Sequence, residues 1–198
     1  MNKFITELSS GSPVPGGGGA SALIGAVSAA LCSMVANLTS GKKKYAEYQV
    51  DIERILEKSA VSIQSLMNLI QKDADVFEPL SKAYGIPKDD SNRETVLQAA
   101  LKEACTVPLE ILRELVTLTD IIEELAVKGS RLAISDVGVA ASACRCAAES
   151  AVMNVFINTK LIKDRDYADT ANAEADSILA VCTERCDKIY KLITNELR

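Results

Sequence analysis

Histidine is absent from the 198 residues, and its absence narrows the possible chemistry more than any other feature of the composition. The side chain that titrates near neutral pH is missing, so acid–base work falls to carboxylate, Lys, Tyr or Cys. The commonest ligand of catalytic zinc is missing too. Cys182 and Cys186 stand four apart, and Cys144 and Cys146 form a C-x-C pair. Neither has the spacing of a four-ligand zinc site, so the cysteines read as small buried thiols and no metal is expected. Positive charge is also scarce: the net charge is −5, and a nucleic-acid binder needs an excess of Lys and Arg over one face. The single dense basic run is Lys42, Lys43, Lys44. The N-terminus lacks a charged n-region followed by an apolar h-region, which points to a cytoplasmic protein with reduced thiols.

Alternating apolar residues of useful length are lacking as well, which leaves helices. Ile52, Ile55, Leu56, Ile63, Leu66, Met67, Ile70, Phe77 and Leu80 recur at three- and four-residue steps, the mark of one long helix over 48–84 with one buried face. After the breaker-rich YGIPKDDSN, the spacing predicts two helical pieces over 96–128, joined or kinked at Thr106-Val107-Pro108 and stopped by Gly129. Ser135 is placed to cap a helix reaching about Asn158, and 171–197 supplies a last amphipathic helix. In Ala20 to Ser40 and Asp136 to Asn158, Ala, Ser, Gly and Cys dominate. Small side chains let helix axes approach, so these two read as the central helices of a compact all-α bundle. The first is long enough to resemble a membrane span, but its prolines, glycines, Ser and Asn argue for the bundle. One domain over 1–198 accounts for the chain.

Within SPVPGGGGASAL, Gly16, Gly17, Gly18 and Gly19 precede a helix whose first N–H groups lack intrahelical partners, a place where an anion or a close-packed group can sit. No G-K-[ST] follows and no strand precedes, so this is neither a Walker loop nor a dinucleotide fingerprint. A flexible lead into the helix explains the glycines as well. Lys42, Lys43 and Lys44 follow Gly41 where cations answer the negative end of a helix dipole, and they could also meet an anionic ligand. Asp73 falls on or beside the buried stripe, where a carboxylate needs a partner or a shifted pKa. Asp136 has the position of a first-turn acid. Asn154 and Asn158 share a helix face and could bridge helices or hydrogen-bond a polar ligand.

Taken in order, PGGGG-x-SAL, GKKKY, DADVF, YGIPK, CTVPL, SDVGVAA and NVFIN resemble the cyclodeaminase/cyclohydrolase family across nearly the whole chain. That is the fold of the C-terminal half of formiminotransferase-cyclodeaminase and of stand-alone methenyltetrahydrofolate cyclohydrolases. Gly19 stands where a serine is common in the family. The resemblance implies an all-helical homodimer acting on a one-carbon unit carried between N5 and N10 of tetrahydrofolate. The folate is substrate, and no tightly bound cofactor, nucleic acid or membrane is implied. It also implies proton transfer by Asp73, with Asp136 as a second carboxylate. The glycine turn would lie against the ligand, Lys42 to Lys44 against the glutamate tail, and Asn154, Asn158 or Asp136 against the pterin. The alternative from a different class is a non-catalytic helical module for assembly or partner binding.

Overall fold

The computed structural model describes residues 2–198, and all of its regular structure is helical. Six α-helices follow in order: α1 Asn2–Leu8, α2 Gly17–Thr39, α3 Gln49–Tyr84, α4 Arg93–Lys128, α5 Ile134–Thr159 and α6 Arg165–Leu197. Short 3-10 turns at Lys43–Tyr48 and Arg131–Ala133 lead into α3 and α5. Helix α2 lies between α3 and α5, α5 lies between α2 and α6, and α4 touches all four.

Helix α4 thus shares the centre of the bundle with the two small-residue helices. Leu101, Ile111, Leu112, Leu115, Leu118, Ile121, Ile122 and Leu125 of α4 are fully buried. Helices α2 and α5 do approach closely, as their small side chains require: the Ser28 hydroxyl donates to the Ala140 carbonyl across the pair at 2.8 Å. Each keeps one flank outward. Helix α2 is long and apolar enough to cross a membrane by length and composition. Here it packs as a bundle helix, with Ala22, Ala29, Cys32, Val35 and Ala36 turned into the core.

Three boundaries differ from the sequence reading. Helix α4 runs unbroken through Pro108. A proline inside a helix leaves the carbonyl four residues back without its N–H partner, and here the Asn158 side-chain amide donates to that carbonyl, on Ala104, at 3.2 Å. Helix α5 starts at Ile134 directly from the 3-10 turn, so its N-cap is Ala133 and Ser135 lies inside the first turn. Helix α6 starts six residues early, because the Asp164 carboxylate caps it by accepting from the Tyr167 backbone N–H at 3.2 Å. On α3 the stripe passes through Leu66 and leaves Met67 exposed.

All six cysteines are free and five are buried. Burial pushes the Cys32 thiol up to about 12 and the Cys105 thiol up to about 11. Such thiols are unreactive apolar filling. Among the described residues, no three His, Cys, Asp or Glu side chains converge as a metal ion would need.

Candidate active site

The segment before α2 folds over the junction of α2, α3, α4 and α5 and closes a cavity of about 210 Å³. Gly16, Gly17 and Gly18 form one wall, Asp73, Val76 and Phe77 of α3 a second, Ala104 and Pro108 of α4 a third, and Asn154, Ile157 and Asn158 of α5 the fourth. A second cavity of about 430 Å³ lies outside it, shares Pro13, Val14 and Phe77, and is lined further by Gln71, Asp75, Glu78 and Lys82.

Asp73 explains the glycines. One carboxylate oxygen accepts the Gly19 backbone N–H at 2.8 Å, so the anion at the N-terminus of α2 belongs to the protein itself. A side chain at Gly18 has no room: its Cβ would stand 2.0 Å from Asp73 Oδ1. At Gly17 a Cβ would meet Asn154 Oδ1 at 3.2 Å, whereas at Gly16 it would meet nothing within 4 Å. The turn thus permits close approach at Gly18 above all. Two effects oppose each other at the carboxylate. Desolvation by burial raises the Asp73 pKa above its ordinary 3.8 and is the larger; the Gly19 N–H lowers it. A carboxylate held above its usual range inside a cavity has the character of a proton-transfer group.

Asn154 and Asn158 are held by α5 itself and by α4. Asn154 Nδ2 donates to the Ser150 carbonyl at 2.9 Å. Asn158 Nδ2 donates to the Asn154 carbonyl at 3.0 Å and to Ala104. Both amide hydrogens of Asn158 and one of Asn154 are committed to backbone, so the two side-chain carbonyl oxygens and the second Asn154 N–H are the groups offered to a ligand.

The structure thus gathers Asp73, Gly16 to Gly19, Asn154 and Asn158 into one place. Asp136 and the lysines are not part of it. Asp136 sits in the first turn of α5, at the opposite end of that helix from Asn154. Lys42 to Lys44 follow the C-terminus of α2, roughly 36 Å from Gly18 along the helix at 1.5 Å per residue; there Lys42 Nζ lies 3.5 Å from Ser130 Oγ. The apolar walls, Val76, Phe77, Pro108 and Ile157, were not singled out as site residues in the sequence. The signal that could have found them is that they fall inside DADVF, CTVPL and NVFIN, the same segments that supply Asp73, Asn154 and Asn158.

Comparison with known proteins agrees with these motifs. The family model described as Formiminotransferase-cyclodeaminase matches residues 1–177. A methenyltetrahydrofolate cyclohydrolase of Methylorubrum extorquens is 39% identical over 201 residues, covering 100% of this chain and 97% of that protein. The formimidoyltransferase-cyclodeaminase of Sus scrofa is 31% identical over 90% of this chain, which spans 34% of that longer protein. The crystal structure of a formiminotetrahydrofolate cyclodeaminase from Thermotoga maritima superposes with a TM-score of 0.86 at 32% identity, covering 98% of this chain and 96% of that one. By sequence along its whole length and by fold, the chain belongs to the formiminotransferase-cyclodeaminase family.

Proposed function

We propose that this protein is a methenyltetrahydrofolate cyclohydrolase that uses Asp73 for proton transfer and acts as a homodimer. It is a folate one-carbon enzyme working at the carbon between N5 and N10. The choice of water addition over ammonia release rests on the relative that matches end to end at the higher identity. The single observation that carries the mechanism is the half-buried Asp73 carboxylate on the Gly19 N–H, facing a cavity that has no other ionisable group in its lining.

The reaction needs one proton taken and one given. Asp73 accepts a proton from water as its oxygen bonds to the methenyl carbon, and the cationic N5–C–N10 unit becomes a neutral tetrahedral carbon. The same proton then passes to N5 as the C–N5 bond breaks. Loss of the remaining hydroxyl proton leaves the formyl group on N10. Before the attack, the carboxylate also stabilises the positive charge of the methenyl unit beside it. Asn154 and Asn158 present carbonyl oxygens to the N–H edge of the pterin.

The cyclodeaminase reading is favoured by the Thermotoga likeness. It uses the same tetrahedral carbon, formed by N10 attacking a formimino group and resolved by loss of ammonia. Assaying one preparation with methenyltetrahydrofolate and with 5-formiminotetrahydrofolate separates the two. Hydrolysis at the larger kcat/KM is expected, and faster ammonia release would reverse the assignment.

A further inference from the structure

The uncharged face formed by α2 and α5 joins the cavity to the lysines. No charged residue occurs between Glu7 and Lys42. On the outward flank of α2, Ile24, Val27, Leu31, Met34 and Leu38 succeed one another at helical spacing, and Val27, Met34 and Leu38 are 44%, 39% and 45% exposed. Beside them on α5, Val139, Met153 and Ile157 are 54%, 61% and 59% exposed. Ile157 belongs both to this face and to the cavity lining. At the far end stand Lys42 to Lys44, none of them in a salt bridge among the described residues, and Leu132, which is 92% exposed. Two helices about 34 Å long and 10 Å apart present roughly 700 Å², close to the ~800 Å² each partner gives to a stable interface.

A folate's glutamate tail calls for cations, and within one protomer none stands at the cavity. Its lining has no Lys or Arg. The neighbouring outer cavity carries Asp75 and Glu78, and its one lysine, Lys82, is tied to Glu78 at 2.6 Å. A polycarboxylate is repelled on that side, whereas Ile157, which is both in the lining and exposed, borders the cavity on the uncharged face.

We propose that a second copy of this chain packs antiparallel on the α2/α5 face, bringing its Lys42, Lys43 and Lys44 to the mouth of the first copy's Asp73 cavity to hold the glutamate tail of the folate. The idea rests on the folate reading of that cavity. A two-fold axis crossing α2 at Leu31 sets Gly18–Gly19 of each copy opposite Lys43–Lys44 of the other. Ile24 then faces Leu38 across the axis, and the 92% exposed Leu132 is covered. Each site is complete only in the dimer.

Mixed dimers test it. The protein carrying K42Q, K43Q and K44Q together should show KM for a polyglutamylated methenyltetrahydrofolate raised about tenfold, the order expected for three solvent-exposed ion pairs. D73N should be inactive. In a heterodimer of the two, purified through two different tags, one site has Asp73 from one copy and all three lysines from the other. Wild-type KM at half the wild-type kcat is expected. A heterodimer that keeps the raised KM shows the lysines acting within one copy and overturns the proposal. So does an unchanged KM in the lysine variant, or a monomer at assay concentration. Lys160, which follows Ile157 by three residues, is the control: K160Q should leave the heterodimer result unchanged. Should D73N stay active, the catalytic reading fails by itself and the packing is decided by crosslinking in a C146S background. I24C mixed with L38C should form an intermolecular disulfide and I24C alone should not; the reverse pattern means parallel packing and overturns the proposal.

Discussion

A carboxylate kept in a cavity for its chemistry costs the fold something, and at Asp73 the sign of that cost is measurable. Its folded pKa is raised, with burial as the larger cause. The folded state therefore binds the proton more readily than the unfolded chain. The stability this gives is fully present below the ordinary Asp value of 3.8, and it is lost as pH rises through the raised folded value. Replacing Asp73 with Asn keeps an acceptor for the Gly19 N–H and removes the buried charge, so D73N should melt above the wild type at pH 7. The gap should close as the pH approaches 3, and thermal unfolding across that range checks it. A D73N protein that melts lower at pH 7 would mean that the helix N-terminus outweighs desolvation. Gly18 tests the same contact from the other side. G18A puts a Cβ 2.0 Å from Asp73 Oδ1 and should lower kcat/KM by at least about 100-fold, as misplacing a catalytic group by about 1 Å does. G16A, with open space around its Cβ, should stay within about twofold of wild type.

At the scale of elements, the site depends on how α4 and α5 meet. Pro108 lines that wall of the cavity and leaves the Ala104 carbonyl without a backbone partner, which Asn158 then satisfies. Removing the donor leaves a nearly buried acceptor alone, so N158A should destabilise by about 1–3 kcal/mol. P108A restores a backbone N–H to the same carbonyl and should recover part of that loss, which a double-mutant cycle read by urea unfolding would show as coupling. Purely additive effects would mean that the two residues do not share the carbonyl. The same contact shows why helix periodicity was legible in the sequence and the course of α4 was not. Apolar steps of three and four report one helix's buried face, and they placed α3 correctly from Gln49 to Tyr84. Whether a proline breaks a helix depends on what satisfies the freed carbonyl, and at Pro108 that is a donor from another helix, 50 residues later in the chain. The start of α6 was legible in principle, since Asp164 is an ordinary N-cap residue, but the apolar period that marks this helix begins only at Ala171.

At the scale of the molecule, the seven motifs indicated the family because each sits where helices meet, and four of those meeting points line one cavity. Asp73, the glycines and the two asparagines were readable as candidates, since a carboxylate on a buried stripe and a run of glycines both demand an explanation. Which candidates share a site was not readable. Lys42 to Lys44 lie at the far end of a 23-residue helix from Gly17, so within one copy the lysines and the glycine turn do not share a site. The proposed mechanism rests on one carboxylate moving a proton at a folate carbon. The most direct test is loss of the methenyl absorbance in a single turnover with enzyme in excess, comparing wild type with D73N after both are shown to bind the ligand. Rapid loss is expected with the wild type, and a rate lower by about two to four orders of magnitude with D73N. Equal rates for the two proteins would contradict that mechanism.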